Sequence, residues 1–350
     1  MKRKTAVRIV AIAIAAVLAL SLLLLPMAAY GAEPATEEDG ITVLLSLDQP
    51  DRVLAENSVS FPAPEAMSTA EGDAGFGDLV ADAYRYAALR TGAGSQAPAT
   101  IAVVSQSVIR AALPAGTLTV EDAFRVLPGS GEDAGQGDPL IVMYLTGREL
   151  ENVAEIDASF GSSDGAAALH FSGIVYTCNP GRIPMDCVTD LKLARADGQT
   201  AWTDGDALYC VVTDRASLQA LIAARGSAHG FLKFVPKDAG GNEITDWDSA
   251  ILRDETGAPV MAWQGLALYL ASFAPDAEHI GAVPAAYAQS DGRKTVVHDN
   301  SVGAILENPG TTTVAVLVCI AVILVAAVLL TRRTVRRWSR AEGPDRLDQM

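Results

Sequence analysis

The sequence predicts an α+β domain followed by one C-terminal transmembrane helix. Strand-like and helix-like segments alternate irregularly between residues 76 and 273. Residues 312–330 then run without a charge, near the ~20 residues that a helix needs to cross a bilayer core. Between the two chain ends lie roughly 240 residues, enough for one large domain or two small ones.

At the N-terminus, Lys2, Arg3, Lys4 and Arg8 precede an uncharged run over 9–25, Pro26 and a small-residue stretch over 27–32. This is a signal-peptide layout over residues 1–31, with cleavage expected after Gly31 and an uncleaved anchor as the alternative. Residues 32–66 are rich in Glu, Asp, Pro and Ser, with one β-like patch at 41–46, and read as a lead-in. A domain is expected over 67–297, its order setting in at Phe76.

Leu79, Val80, Ala83, Tyr86, Ala87 and Arg90 recur at helical spacing over 76–91. A buried strand follows at 100–104. Thr119 is positioned to cap a helix whose Glu121 and Asp122 suit its positive end and which Pro128 and Gly129 stop. A strand at 140–145 leads to a second cap, Thr146, and a helix over 147–156. Residues 168–177 and 188–194 read as strands, the second ending in the Asp197-Gly198 turn, and 208–213 as another. Helices are expected at 215–224 and 259–273. A polar linker over 298–311 leads to the apolar span.

Beyond that span, Arg332, Arg333, Arg336, Arg337 and Arg340 crowd residues 331–350. Positive charge marks the cytoplasmic side of a membrane segment, so the tail is expected inside the cell and the domain outside it, with the membrane as a partner. The chain carries 42 acidic against 26 basic residues, a net charge of −16. The two ends hold ten of the 26 bases but only three of the 42 acids, so the domain itself is strongly acidic. That excludes nucleic acid as a partner, because neutralising phosphates takes clustered Lys and Arg.

Cys178 and Cys187 flank a turn-rich stretch between two β-like segments, so a disulfide across its base is expected in an oxidising compartment. Cys210 reads as a buried thiol, and Cys319 lies in the apolar span. No cysteine spacing is a zinc pattern. Gly161-Ser162-Ser163-Asp164-Gly165 formally matches the G-x-S-x-G nucleophile elbow, but it follows a helix and precedes a strand, the reverse of what that elbow needs. His170, beside a strand, reads as structural, and His229 as a solvated loop residue.

Several motifs in register carry a resemblance. Phe76-Gly77-Asp78-Leu79-Val80-Ala81-Asp82-Ala83 is similar to the G-N-L-x-x-D-A helix that opens the C-terminal domain of the 5′-nucleotidase family. Ile109-Arg110, Gly116, Thr119, Asp122 and Val126-Leu127-Pro128 resemble its I-R, G, I-T, D and L-P spacing. Leu145-Thr146-Gly147-Arg148-Glu149-Leu150 resembles its L-T-G-x-x-L, and His170-Phe171-Ser172-Gly173 its F-S-G strand. Tyr209-Cys210-Val211-Val212 and residues 284–294 resemble its Y-x-V strand and its closing P-x-x-Y and G-R. The resemblance implies that family's mixed sheet with packed helices and a link to nucleotide catabolism and hydrolase chemistry.

In that family a preceding metallophosphoesterase domain holds two metals through His, Asp and Asn. No such domain is expected before residue 67, and the four histidines form no D-x-H, G-N-H-D or G-H-x-H cluster. Hydrolysis by this chain alone and a resident cofactor are therefore not expected. The family's C-terminal domain grips nucleotide through arginines, a supporting Asn and two aromatic rings. The resemblance carries over Arg110 as a candidate phosphate contact and, in the same loop, Ser105. Gly129, Ala223 and Ala70 stand where the two rings and an upstream arginine would lie. Three readings remain: a non-catalytic module that binds a nucleotide, a nucleoside or another partner; an accessory half completed by a separate metallophosphoesterase subunit; and an independent hydrolase with new chemistry, which has only the serine loop over 161–165 behind it.

Overall fold

A computed structural model describes residues 49–68, 72–130, 135–195, 198–228, 230–274 and 279–341, with side chains to 336. The expected signal peptide, the patch at 41–46, Ala70, Asp197 and His229 lie outside the described residues.

Three sheets form the domain. The central one has the order β4-β9-β2-β5, from β2 (Thr100–Ser105), β4 (Leu140–Thr146), β5 (Leu169–Ser172) and β9 (Leu208–Asp214). Strand β2 runs parallel to β9 and antiparallel to β5, so the sheet is mixed. Every residue of β2 is buried, because both faces are covered. Ala102 and Val104 point into one core and Ile101 and Val103 into the other, the two-residue alternation of a strand.

The first core contains the helix α1 (Gly75–Arg90). It packs against β2, β5 and a later helix, so most of its residues are buried and it lacks a broad polar face. Two further helices cover the same side, α2 (Val120–Val126) and α5 (Ala262–Ala271). On the other side lie α3 (Gly147–Phe160) and α4 (Arg215–Ser227). The starts of α2 and α3 are the capping boxes that Thr119 and Thr146 foreshadow: each hydroxyl accepts the N–H three residues on, and Asp122 and Glu149 reach back to the capping residue.

The stretch at 168–177 is two strands. Between β5 and β6 (Ile174–Cys178), Gly173 takes φ +86°, and the chain leaves the central sheet for a second one of order β11-β6-β7-β8. Its other strands are β7 (Val188–Ala194), β8 (Thr200–Trp202) and β11 (Lys294–Val296). A Cβ on Gly173 would lie 2.7 Å from the Thr100 carbonyl oxygen, so glycine meets both the backbone angle and the close approach.

The lead-in is more ordered than its composition suggests. Residues Val53–Asn57 form β1, the middle strand of the third sheet, between β3 (Gly116–Thr119) and β10 (Gly281–Ala282). Leu54 and Ala55 enter the first core, and Phe61 stacks on Phe76 with ring centroids 5.2 Å apart. The signal was invisible locally because both pairing partners lie far along the chain.

One buried ion pair joins the end of the domain to its beginning. Arg293 donates from Nη1 to Asp82 Oδ1 at 2.8 Å and from Nη2 to Oδ2 at 2.7 Å, and also to the Phe171 carbonyl. The Tyr287 and Ser172 hydroxyls complete the shell of Asp82. The chain then passes a short helix α6 (Val302–Leu306) into α7 (Thr311–Ala341). Within α7, the span Thr311–Arg336 contains an 18-residue window with a mean hydropathy of 3.2 that is almost wholly exposed, and the helix is long and apolar enough to cross a membrane.

Candidate functional site

The structure does not bring Ser105 and Arg110 together. Ser105 caps the single 3-10 turn Gln106–Val108 and is fully buried. Its hydroxyl donates to the Ala166 carbonyl and accepts the Ser107 N–H, while its own N–H donates to Ser217 Oγ. Those bonds hold the turn against α4 and leave no face for a ligand. Arg110 is exposed, its N–H donates to the Val126 carbonyl, and its guanidinium has no partner among the described residues.

Cys178 and Cys187 are buried thiols, not a disulfide. They flank the β6–β7 connection, where the Asn179 N–H donates to the Cys187 carbonyl at 2.8 Å. Burial pushes the Cys178 thiol up to about 12 and raises that of Cys187. Neither is a ready nucleophile, since the thiolate is the reactive form. His170 is buried in β5, where burial lowers its pKa to about 4 and leaves it neutral. In the loop after α3, the Ser163 hydroxyl donates to the Phe160 carbonyl, and Asp164 accepts the Ala166 N–H. That is turn chemistry rather than an activated serine. Ser163 and Ala223 line a cleft of about 470 Å³ between this loop and α4.

The β6–β7 connection has a structural task of its own. Arg182 is buried, pairs with Asp186 at 3.1 Å, and donates from Nη1 to the Ala304 and Glu307 carbonyls. These carbonyls belong to the end of α6, which the guanidinium caps. Asp186 in turn accepts the Gly310 N–H at 3.0 Å and bonds the Thr313 hydroxyl. Asn179 holds the Asp299 carbonyl. The polar linker before α7 is therefore clasped onto the domain.

Beside this clasp opens a cleft of about 460 Å³, floored by α3 and β7 and reaching Asn308 and Thr311 at the start of α7. Its rim carries Trp202, 70 % exposed, and Phe231, 47 % exposed. The Lys192 ammonium stands 4.4 Å from the Trp202 ring centroid, a cation–π contact that steadies the indole. Below the rim, Glu155 accepts the Cys187 and Val188 N–H groups and fixes the start of β7. Arg148, Glu151 and Asp190 supply charge of both signs. Exposed rings above charged side chains suit stacking and polar contact with a ligand. Residue type alone could not single out Trp202 or Phe231, because an aromatic in a short strand or loop is as often core as rim.

Residues 55–217 match the family described as the 5′-nucleotidase, C-terminal domain. No curated protein matches the sequence. Among solved structures, the chain is similar to a 5′-nucleotidase precursor of Thermus thermophilus, at 23 % identity over 74 % of this chain with a TM-score of 0.49. It is also similar to a NAD nucleotidase of Haemophilus influenzae, at 16 % identity over 71 % with a TM-score of 0.45. A third is a sulfate thiohydrolase of Thermus thermophilus, at 14 % identity over 72 % with a TM-score of 0.42. The chain spans 41 %, 39 % and 36 % of the lengths of these three proteins.

Proposed function

We propose, from the premise that residues 55–217 belong to the 5′-nucleotidase C-terminal domain family, that this chain is a membrane-anchored, extracytoplasmic binding module. It recognises a ligand or partner and does not hydrolyse nucleotide alone. The observation that carries this reading is the cleft rimmed by Trp202 and Phe231, two exposed rings over a mixed-charge floor. Rings held at an exposed rim suit a flat ligand, since stacking contributes about 1–3 kcal/mol per ring. Support for the anchor comes from the exposed apolar stretch of α7 and the arginines that follow it. Support for a non-catalytic role comes from the lack of the family's D-x-H, G-N-H-D and G-H-x-H metal motifs in the sequence.

A second reading, an accessory half completed by a metallophosphoesterase on another chain, draws on the family match being to a C-terminal domain. Arg110, exposed with a free guanidinium among the described residues, is the side chain that such a composite site would use.

The test is calorimetric titration of the full-length protein in detergent with AMP, adenosine and phosphate, beside a phosphate-release assay with added Mn²⁺ or Zn²⁺. Binding lost in Trp202→Ala places the ligand in the cleft, and binding lost in Arg110→Ala places it at the composite site. Phosphate release by the chain alone overturns the non-catalytic reading.

A further inference from the structure

Where the two ends of the domain meet, three carboxylates converge. One oxygen from each of Asp73, Asp78 and Asp291 lies within 4.8 Å of the other two. Two oxygens that share a Ca²⁺ ion, each about 2.4 Å from it, stand at most about 4.8 Å apart. The spacing is therefore one that a common cation can bridge.

The second observation is Asp78 itself. It is 1 % exposed, and neither of its carboxylate oxygens has a hydrogen-bond partner among the described residues. A buried carboxylate left without partners is strongly disfavoured, so it requires a counter-charge or a proton. Its neighbours do not supply enough charge. The charged groups facing it are Arg293 and three further aspartates, Asp73, Asp82 and Asp291. The Arg293 guanidinium is already committed to Asp82 through both Nη atoms and to Asp291 through Nε. Asp73 and Asp291 are less deeply buried than Asp78, the Asp291 side chain being 9 % exposed.

We propose that Asp73, Asp78 and Asp291 form a binding site for a hard divalent cation, with Ca²⁺ preferred. An all-oxygen donor set selects Ca²⁺, Mg²⁺ or Mn²⁺ over softer metals. Ca²⁺ tolerates an irregular shell, whereas Mg²⁺ demands near-ideal octahedral geometry. The ligands come from the approach to α1, its first turn and the segment before β11. Ser290, 217 positions along the chain from Asp73, already hydrogen-bonds to it. The bound ion would staple the closing segment of the domain to its opening helix, independently of any ligand in the cleft.

The experiment is thermal unfolding of the full-length protein in detergent, stripped with a chelator and titrated separately with CaCl₂, MgCl₂ and MnCl₂. Ca²⁺ at a hundredfold excess over its Kd is expected to raise the Tm by roughly 5 °C or more. Asp78→Asn and Asp291→Asn are expected to abolish that rise. If Asp78→Asn fails to fold, Asp291→Asn and the half-buried Asp73→Asn decide the matter. A wild-type Tm that none of the three salts moves overturns the proposal and leaves Asp78 neutralised by a proton. A rise that persists in the Asn variants overturns it as well, because the cation then acts elsewhere on this acidic surface.

Discussion

Arg293 and Asp82 form a bidentate ion pair across 211 residues, and both side chains are buried. The aspartate comes from the motif that opens α1, the arginine from the motif that closes the domain, and Tyr287 of the P-x-x-Y segment donates to the same carboxylate. Three motifs scattered through the sequence thus converge on one node.

Removing one partner of a buried pair strands the other charge, which costs about 3–5 kcal/mol. Asp82→Asn and Arg293→Met are therefore expected to lower the urea midpoint severely. Arg293→Lys should rescue little, because an ammonium cannot span both carboxylate oxygens. Equilibrium unfolding followed by circular dichroism checks all three variants.

Gly173→Ala forces a side chain into a left-handed backbone angle and against the Thr100 carbonyl. A loss of about 1–3 kcal/mol is expected. Gly165→Ala, with open space around the added methyl, is the matched control. A similar midpoint for the two variants would contradict the close approach at Gly173.

Glu149 predicts a pH effect. Burial raises its pKa, but Lys237 and the N–H groups of Thr146 and Val235 outweigh burial and hold it below the ordinary 4.5. A depressed carboxylate stabilises the fold above its unfolded pKa, and that contribution fades as pH falls through the lowered folded value. Glu149→Gln is thus expected to lose stability at neutral pH and to converge with the wild type in acid. The carboxylate is only partly buried and water screens it, so the difference should be near ~1 kcal/mol. Urea midpoints at pH 7 and below pH 4.5 measure it.

Thiol chemistry checks the β6–β7 connection. With Cys178 pushed up to about 12 and Cys210 to about 11 by burial, neither should react with iodoacetamide in the native protein near pH 8. Both should label once denaturant is added. A Cys178 that stays unlabelled after unfolding, but labels after reduction, would show that it had paired with Cys187.

Arg182→Ala should uncap the Ala304 and Glu307 carbonyls and leave Asp186 without its buried partner. Faster cleavage between residues 298 and 310 in limited proteolysis is the expected outcome. An unchanged digestion pattern would mean that the clasp is held elsewhere.

What could be read in advance was local. Thr119 and Thr146 announced their helices because a capping box is complete within four residues. Strand β1 could not be read, since its stability comes from partners at 116–119 and 281–282. Nor could the break at Gly173, which changes sheets without changing the β-like pattern on either side. Arg110 was visible through its motif, whereas the burial of Ser105 depends on Ala166 and Ser217, residues no local pattern connects to it. The trio Asp73, Asp78 and Asp291 looks like ordinary surface acid until the fold brings its members together.

The clasp on the linker also decides how the domain bears load. Tension applied along α7 reaches Gly310 and the carbonyls of Ala304 and Glu307 before it reaches strand β11. The pull is thereby diverted into the β6–β7 hairpin, and the terminal strand is shielded while the clasp holds. When the clasp ruptures, the freed residues 298–311 run out as slack, so the link acts as a mechanical fuse that lengthens before the domain begins to unravel.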